Sequence, residues 1–411
     1  MMLVGELMKI ALVTEFFPPY VTGGAEIFLH ALAEYLQSKG HKMVVITTEQ
    51  GQGSGNFKTH RIKSSPLHVS HRYQFHGITV PWMFGNKKLV KRLEGIYEKE
   101  GIDLIYINNM FHLSFAPLQA AESAGIPVVL DVHDYWPICF SKDMLHKSEP
   151  YTPCTGEQGV MKCSKCLSGK MGLRAAAPML VPGLLAEKRL RKKWFSSSII
   201  RKVVCHSGEG VEELRKHGLK SVCIPYPYLG PKGRHKESKD GVFKMIFVSR
   251  LERLRGAHLL PEIARHLKGK FRFRIDVIGR GSLMKELDRE DLGLHVHGFM
   301  GSERFEYFRN ADCLLALQRY PVPHGITVIE AMAHELPVVA FKNCGAGFLT
   351  EKNRAGLTAS SMKDLIKSIE RLRADKRLVR GIRKGIKKNM ARNDKKAIFR
   401  EYELLLMSAA Q

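Results

Sequence analysis

Arg250 and Arg255 flank one short stretch of the sequence SRLERLRGAHLL, the first at the end of an apolar run and the second just before Gly256. Two guanidinium groups beside the start of a helix can converge on one polyphosphate, each as a rigid fork of donors. The plainer alternative leaves either arginine solvated or paired with Glu252. Downstream, VIGRGS carries Gly279 and Gly281 at the end of another apolar run, where a missing side chain suits close approach of backbone to a flat base. In GITVIEAMA a short helix opens with Glu330. Its carboxylate could accept from the vicinal hydroxyls of a ribose, or merely complement the helix dipole for up to about 1 kcal/mol.

The first half carries a similar set. Gly23 and Gly24 separate the run KIALVT from a helical pattern, so their N–H groups could face an anion, although any tight turn can want glycine. His133 ends PVVLDVHD, a position where a histidine is commonly a plain hydrogen-bonded residue. Cys139, Cys154, Cys163 and Cys166 lie in one loop-rich stretch ending in CSKC. They could form a tetrahedral zinc site, one or two disulfides, or remain free thiols, and in each case they pin the loop after His133 rather than do chemistry. Cys205, Cys223, Cys313 and Cys344 sit on or near apolar runs and read as small buried residues.

These residues need a scaffold, and the pattern that supplies one occurs twice. KIALVT, MVVITT, DLIYIN, PVVLDVHD and RKVVCHS read as buried strands with helical connections; FKMIFVSR, FRFRIDVIG, LHVHGF, DCLLALQ and PVVAF repeat the order. Continuous apolar strands alternating with helices imply two parallel sheets covered on both faces. The linker is CIPYPYLGPKGRHKESKDG, rich in Pro, Gly and charge. The predicted fold class is therefore α/β, two doubly wound domains, residues 1–228 and 229–392, with ligands expected in a cleft at the carboxyl ends of both sheets. Neither half holds GxGxxG or GxxxxGK[ST], which argues against a dinucleotide redox cofactor and a P-loop.

At 411 residues and 44% hydrophobic the chain suffices for two cores, and its net charge of +25 calls for an anionic partner: nucleic acid, a lipid surface or a phosphorylated substrate. The apolar, proline-broken run AAAPMLVPGLLA followed by AEKRLRKKWF resembles a surface-lying element with a basic face, which could meet an anionic membrane or simply pack with a solvated edge. The basic segment from Arg371 to Arg400 reads as the polar face of long helices. No run is long enough to span a bilayer and the start lacks a secretory pattern, so a cytoplasmic protein is expected, at the inner face of the membrane if the basic element binds lipid. Nucleic acid is the weakest partner, for want of a recognition helix, zinc finger or stacking motif.

The ordered set VSRL with Arg255-Gly256, VIGRGS, HGFM, GITVIEAMA and LPVV resembles the donor domain of retaining glycosyltransferases of GT-B fold, family 4. FPPYVTGGAE and PVVLDVHDYWPIC resemble that family's acceptor-domain loops. The resemblance covers nearly the whole chain and implies a GT-B pair of Rossmann-like domains, with C-terminal helices 393–411 packing back on the first. It implies transfer of a sugar from a nucleotide-diphosphate sugar to a lipid-linked, polysaccharide or other glycan acceptor, with no metal required for catalysis. By the same resemblance, Arg250 and Arg255 grip the diphosphate, Glu330 binds ribose, Gly325 and the N–H groups of Ile326 and Thr327 approach the donor, Gly279 and Gly281 shape its pocket, Gly23 and Gly24 approach the reacting centre, and His133 lies near the donor sugar.

Three positions depart from the pattern. Arg255 stands where the family usually has lysine. Val322 replaces the first glutamate of the family pair, and His324 stands where an aromatic residue is usual and could compensate. Loss of one charge-assisted hydrogen bond to the donor could cost about 1.5–3 kcal/mol. That leaves a second expectation open, a catalytically silent relative that binds a nucleotide sugar or a partner enzyme. Glu335, finally, occupies the place of a helix-ending glycine, which suggests a different exit from that helix.

Overall fold

The computed structural model describes residues 7–19, 21, 23–48, 56–62, 87–110, 113–141, 144–146, 152–170, 175, 177–236, 240–319 and 325–411. His324 and Val322 lie outside them. The chain separates into two compact units, Met1–Pro225 with Lys396–Gln411, and Tyr226–Lys395.

In the first unit the strands are β1 (Lys9–Val13), β2 (Lys42–Thr48), β3 (Lys58–Ile62), β4 (Leu104–Ile107), β5 (Val128–Val132), β8 (Ile200–Cys205) and β9 (Val222–Cys223), with a separate hairpin of β6 (Leu145–His146) and β7 (Thr152–Pro153). They form one parallel sheet in the order β3-β2-β1-β4-β5-β8-β9. The central strands β4 and β5 are buried along their whole length, because helices cover both faces, as a parallel sheet requires. These helices include α1 (Gly24–Ser38), α2 (Lys87–Glu100), α3 (Ala116–Ala124), α4 (Val160–Lys170), α5 (Ala177–Phe195) and α6 (Gly208–Lys216).

The second unit repeats the plan: β10 (Phe243–Val248), β11 (Phe273–Ile278), β12 (Leu294–Gly298), β13 (Cys313–Ala316), β14 (Val338–Phe341) and β15 (Gly356–Ala359), in the parallel order β12-β11-β10-β13-β14-β15. Its helices are α7 (Leu260–Leu267), α8 (Met284–Leu287), α9 (Arg304–Asn310), α10 (Ile326–Ala333), α11 (Gly345–Lys352), α12 (Met362–Ala374) and α13 (Lys376–Met390). The last helix, α14 (Lys395–Ala410), belongs to the first unit: Phe399 and Tyr402 pack on Phe28 of α1, and the Tyr35 hydroxyl donates to Glu403 at 2.9 Å. In both sheets the order reverses beside the first strand, which places a topological switch point at the carboxyl ends of β1/β4 and of β10/β13.

Several expectations change here. Cys205, Cys313 and Cys344 are buried, but Cys223 is exposed, because β9 is a two-residue strand at the sheet edge. The basic stretch of α5 does not form one solvated face. Ala177, Leu180, Leu184, Glu187, Arg191 and Trp194 make its buried stripe, and Arg191 turns inward to Glu187, to the Trp136 carbonyl and onto the Phe140 ring. Ordinary packing accounts for this side of the helix, and no helix among the described residues is long and apolar enough to cross a membrane. Glu335 does not redirect the chain after α10. It takes the left-handed conformation a glycine would take, with φ at 56°.

Candidate active site

In the second unit the loops after β10 and β11 are bound to each other by their backbones. Ser249 N–H donates to the Ile278 carbonyl at 3.1 Å, Leu251 N–H to Arg280 at 2.9 Å, and Leu283 N–H to Leu251 at 3.0 Å. The glycines are needed for this contact. A Cβ on Gly279 would lie 1.8 Å from the Ser249 carbonyl oxygen, and one on Gly281 would lie 2.3 Å from that of Leu251. The sequence reading assigned the space to an approaching base; the approaching group in the structure is the chain itself. Gly256, at φ +81°, lies as close to Leu317, where an added Cβ would come 2.2 Å from the carbonyl oxygen, and so seats the Arg253–Arg255 turn against β13's exit. Arg250, at the tip of this assembly, is exposed and forms no ion pair with a described residue, while Arg255 is half-buried.

Glu330 lies in the second turn of α10, not at its opening, because the helix begins at Ile326. It is buried, and Arg304 Nη2 donates to its Oε1 at 2.5 Å, with the guanidinium stacked over Phe305. Burial pushes the Glu330 carboxyl above its ordinary range and Arg304 only partly offsets this. Arg304 had no signal in the sequence. One turn on, His334 is fully buried, stacks on Phe305 and places Nδ1 2.8 Å from the Glu330 carbonyl oxygen; burial lowers its pKa. Gly325 caps α10 from outside, and Ile326 and Thr327 are half-buried at its first turn. Arg250, Arg255, Gly279, Gly281, Gly325 and Glu330 thus all belong to segments leaving the carboxyl edge of this sheet.

In the first unit the corresponding edge holds a buried charge network. Asp131, on β5, is 2.9 Å from His206 Nε2 and 3.3 Å from His133 Nε2, and also accepts from the Tyr106 hydroxyl. The two imidazoles stack, 4.7 Å between centroids. A carboxylate can only accept, so Nε2 of His133 carries a proton, and His133 is held further by Asn108 Oδ1 at 2.5 Å. Burial alone would raise the Asp131 pKa, but the two imidazoles outweigh it and hold the carboxyl well below its usual range. His206 is lowered, burial outweighing the attraction of Asp131, even though its Nδ1 lies 3.1 Å from the Ile224 carbonyl oxygen. Asp131 was legible in principle: a lone carboxylate inside an apolar strand, two positions before His133, must share its face.

Gly23 and Gly24 begin α1, where the Gly23 N–H already donates to the buried Glu26 carboxylate at 2.8 Å. The helix start therefore carries its own negative charge, which the anion reading did not include. Cys139, Cys154, Cys163 and Cys166 form no disulfide.

The arrangement offers an exposed cation and a buried carboxylate at one sheet edge, and an imidazole of fixed tautomer at the other. Comparison with known proteins places it. Residues 22–228, half of the chain, match the model of Glycosyltransferase Family 4, and residues 242–375 match that of Glycosyl transferases group 1. The chain is 28% identical over 139 residues to an uncharacterized 42.6 kDa protein in the cps region of Klebsiella pneumoniae, and that match spans 37% of the relative's length. Among solved structures, it resembles sucrose-phosphate synthase from Thermosynechococcus elongatus, with a TM-score of 0.69 at 18% identity over 98% of both chains. It also resembles an Anabaena protein solved in complex with UDP-glucose, with a TM-score of 0.64 at 19% identity over 98% of this chain and 100% of that one. At these identities the structural likeness is one of fold, the two-domain GT-B architecture, while the family match rests on sequence over both halves: the chain belongs to Glycosyltransferase Family 4.

Proposed function

We propose that the protein is a retaining glycosyltransferase that moves a sugar from a nucleotide-diphosphate sugar onto a glycan, polysaccharide or lipid-linked acceptor. The observation that carries the reading is the pairing, at one sheet edge of the second unit, of an exposed arginine with no carboxylate partner among the described residues and a buried carboxylate. Arg250, with Arg255, binds the diphosphate and stabilises the charge that develops as the bond from the sugar to phosphate breaks. Glu330 receives the ribose hydroxyls, sharing its charge with Arg304. The acceptor hydroxyl attacks from the face the leaving group departs, and its proton goes to the departing phosphate oxygen, so configuration is retained without the two-carboxylate route of glycosidases. His133, oriented by Asp131, meets the donor sugar. A uridine-based donor is the first to try, since a structural relative was solved with UDP-glucose.

The test is a binding and consumption screen of purified protein against nucleotide-diphosphate sugars. For the donor that is consumed, Arg250→Ala is expected to lower kcat by about 10²–10³-fold, the usual loss for one group stabilising developing charge. Glu330→Ala is expected to weaken donor binding by about 10–100-fold, the scale of a lost charge-assisted hydrogen bond. Val322, in place of the family glutamate, supports a second reading, a silent relative that binds the donor. Donor binding without consumption, with lipid and glycan acceptors present, would select it.

A further inference from the structure

Cys139, Cys154, Cys163 and Cys166 come from three separate pieces of chain and line one cavity of about 20 Å³. Cys139 closes the turn that begins at His133, its N–H donating to the Tyr135 carbonyl at 2.8 Å. Cys154 directly follows β7 of the small hairpin and is tied back by its N–H to Met144 at 2.8 Å. Cys163 and Cys166 stand one turn apart on α4, so both project from the same helix face. Beside Cys139, Met144 and Trp194, which join the main core of the unit, the segment has a small apolar cluster of its own, Phe140, Leu167, Leu180 and Leu184. A region with so small a core of its own commonly relies on a covalent or metal staple, and none of the four cysteines is in a disulfide.

We propose that these four cysteines hold one zinc ion as a closed, structural tetrathiolate site. The cavity has room for about one water-sized sphere, which admits an ion and excludes a substrate, so no coordination position is left open for chemistry. Binding replaces four S–H bonds by four metal–sulfur bonds and releases four protons, leaving a complex of net charge −2. Lys162 lines the same cavity and can share that charge. Among the described residues, only Asp131, His133 and His206 gather ligand atoms within 4.8 Å of one another. The sulfurs therefore ring the cavity more widely than the roughly 3.8 Å of a tetrahedral thiolate set, and the ion draws them together by side-chain rotation. The consequence for the first unit is a staple on the turn that follows His133. This proposal stands apart from the choice between an active and a silent transferase.

Metal analysis of the full-length protein, purified without chelator or added zinc and then dialysed, tests it directly. About one zinc per chain is expected, with release on titration by a mercurial and, after exchange into cobalt, the intense thiolate-to-cobalt absorption and strong visible bands of a tetrahedral sulfur site. A Cys163→Ser, Cys166→Ser double variant is expected to lose the metal. Should that variant fail to fold, the wild-type stoichiometry and cobalt spectrum still decide. Protein that is folded and metal-free with all four thiols reactive, or peptides from these positions linked in pairs by disulfides, overturns the proposal.

Discussion

Two buried carboxylates near the carboxyl edges of the sheets, Asp131 in the first unit and Glu330 in the second, are held in opposite ways. Asp131 is surrounded by two imidazoles, which lower its pKa, and a phenol that donates to it; Glu330 faces a permanent cation, Arg304, yet burial leaves its pKa raised. Two imidazoles together outweigh burial at Asp131, while one guanidinium does not at Glu330. A carboxylate with three donors is stabilised as an anion even in a dry site, whereas one with a single described side-chain partner is not. The first arrangement fixes an imidazole in place. The second leaves a carboxylate with bonding capacity still to be used, which suits a group meant to receive a ligand.

The largest expected effect comes from removing the carboxylate with more partners. Asp131→Ala is expected to destabilise the first unit by about 3–5 kcal/mol, while Arg304→Ala costs the second about 2 kcal/mol, because Glu330 can take up a proton once its cation is gone. Denaturant melts at pH 7 and pH 5 check this: the Arg304 variant should recover part of its loss in acid. Equal losses with no recovery would mean the two carboxylates are held alike.

A smaller effect, and a sharper one, is the sign of the pH response. The depressed pKa of His206 means that the unfolded chain takes up this proton first, so stability present above its ordinary value of about 6.5 is lost as pH falls below it. Asp131 adds a loss in the same direction further into acid. Glu330 acts oppositely: its raised pKa means that the folded state takes the proton first, so its unfavourable contribution is relieved as pH falls through the folded value. Hydrogen exchange between pH 7 and 5, corrected for intrinsic rates, should show β5 and β8 losing protection, and His206→Gln should flatten that change. In α10, where His334 titrates in the same sense as His206, Glu330→Gln should make the acid loss steeper. A shallower response in that variant would reverse the sign assigned to Glu330.

The smallest change tests the helix that carries Glu330 without touching its carboxylate. Glu335 holds a left-handed conformation unfavourable for a side chain, and its 3.2 Å pair with Lys387 joins a half-buried carboxylate to an exposed ammonium. Glu335→Gly is expected to raise stability by about 0.5–1 kcal/mol, read as a higher denaturant midpoint with unchanged slope. A lower midpoint would assign more to the Lys387 pair than surface pairs usually supply.

The sequence disclosed the centre of each sheet and, of the four edge strands, only β12. Central strands such as LIYI and CLLA announce themselves by unbroken apolar runs, because both faces are covered. The strands that gave no signal, KTHRI, VC and GLTA, all lie at sheet edges, where burial is partial and nothing forces an apolar pattern. The same limit applies to the site. Glu330, Arg250 and His133 stood out by residue type and local motif, but Arg304 and His206 reach their partners only through tertiary packing, with no spacing to betray them. Glycines 279 and 281 were readable as close-approach positions; what approaches was not.

The return of α14 to the first unit has a consequence for how the molecule is made. On a ribosome, the strands and helices that surround Phe28 emerge early, but Phe399 and Tyr402, which cover it, are translated only after the whole second unit. The first unit must wait with an apolar patch on α1 uncovered, while the second, continuous in sequence, can finish folding as soon as it clears the exit tunnel. The unit that begins synthesis first is the one that completes last, and a nascent chain stalled before its final helix would be the form most in need of a chaperone.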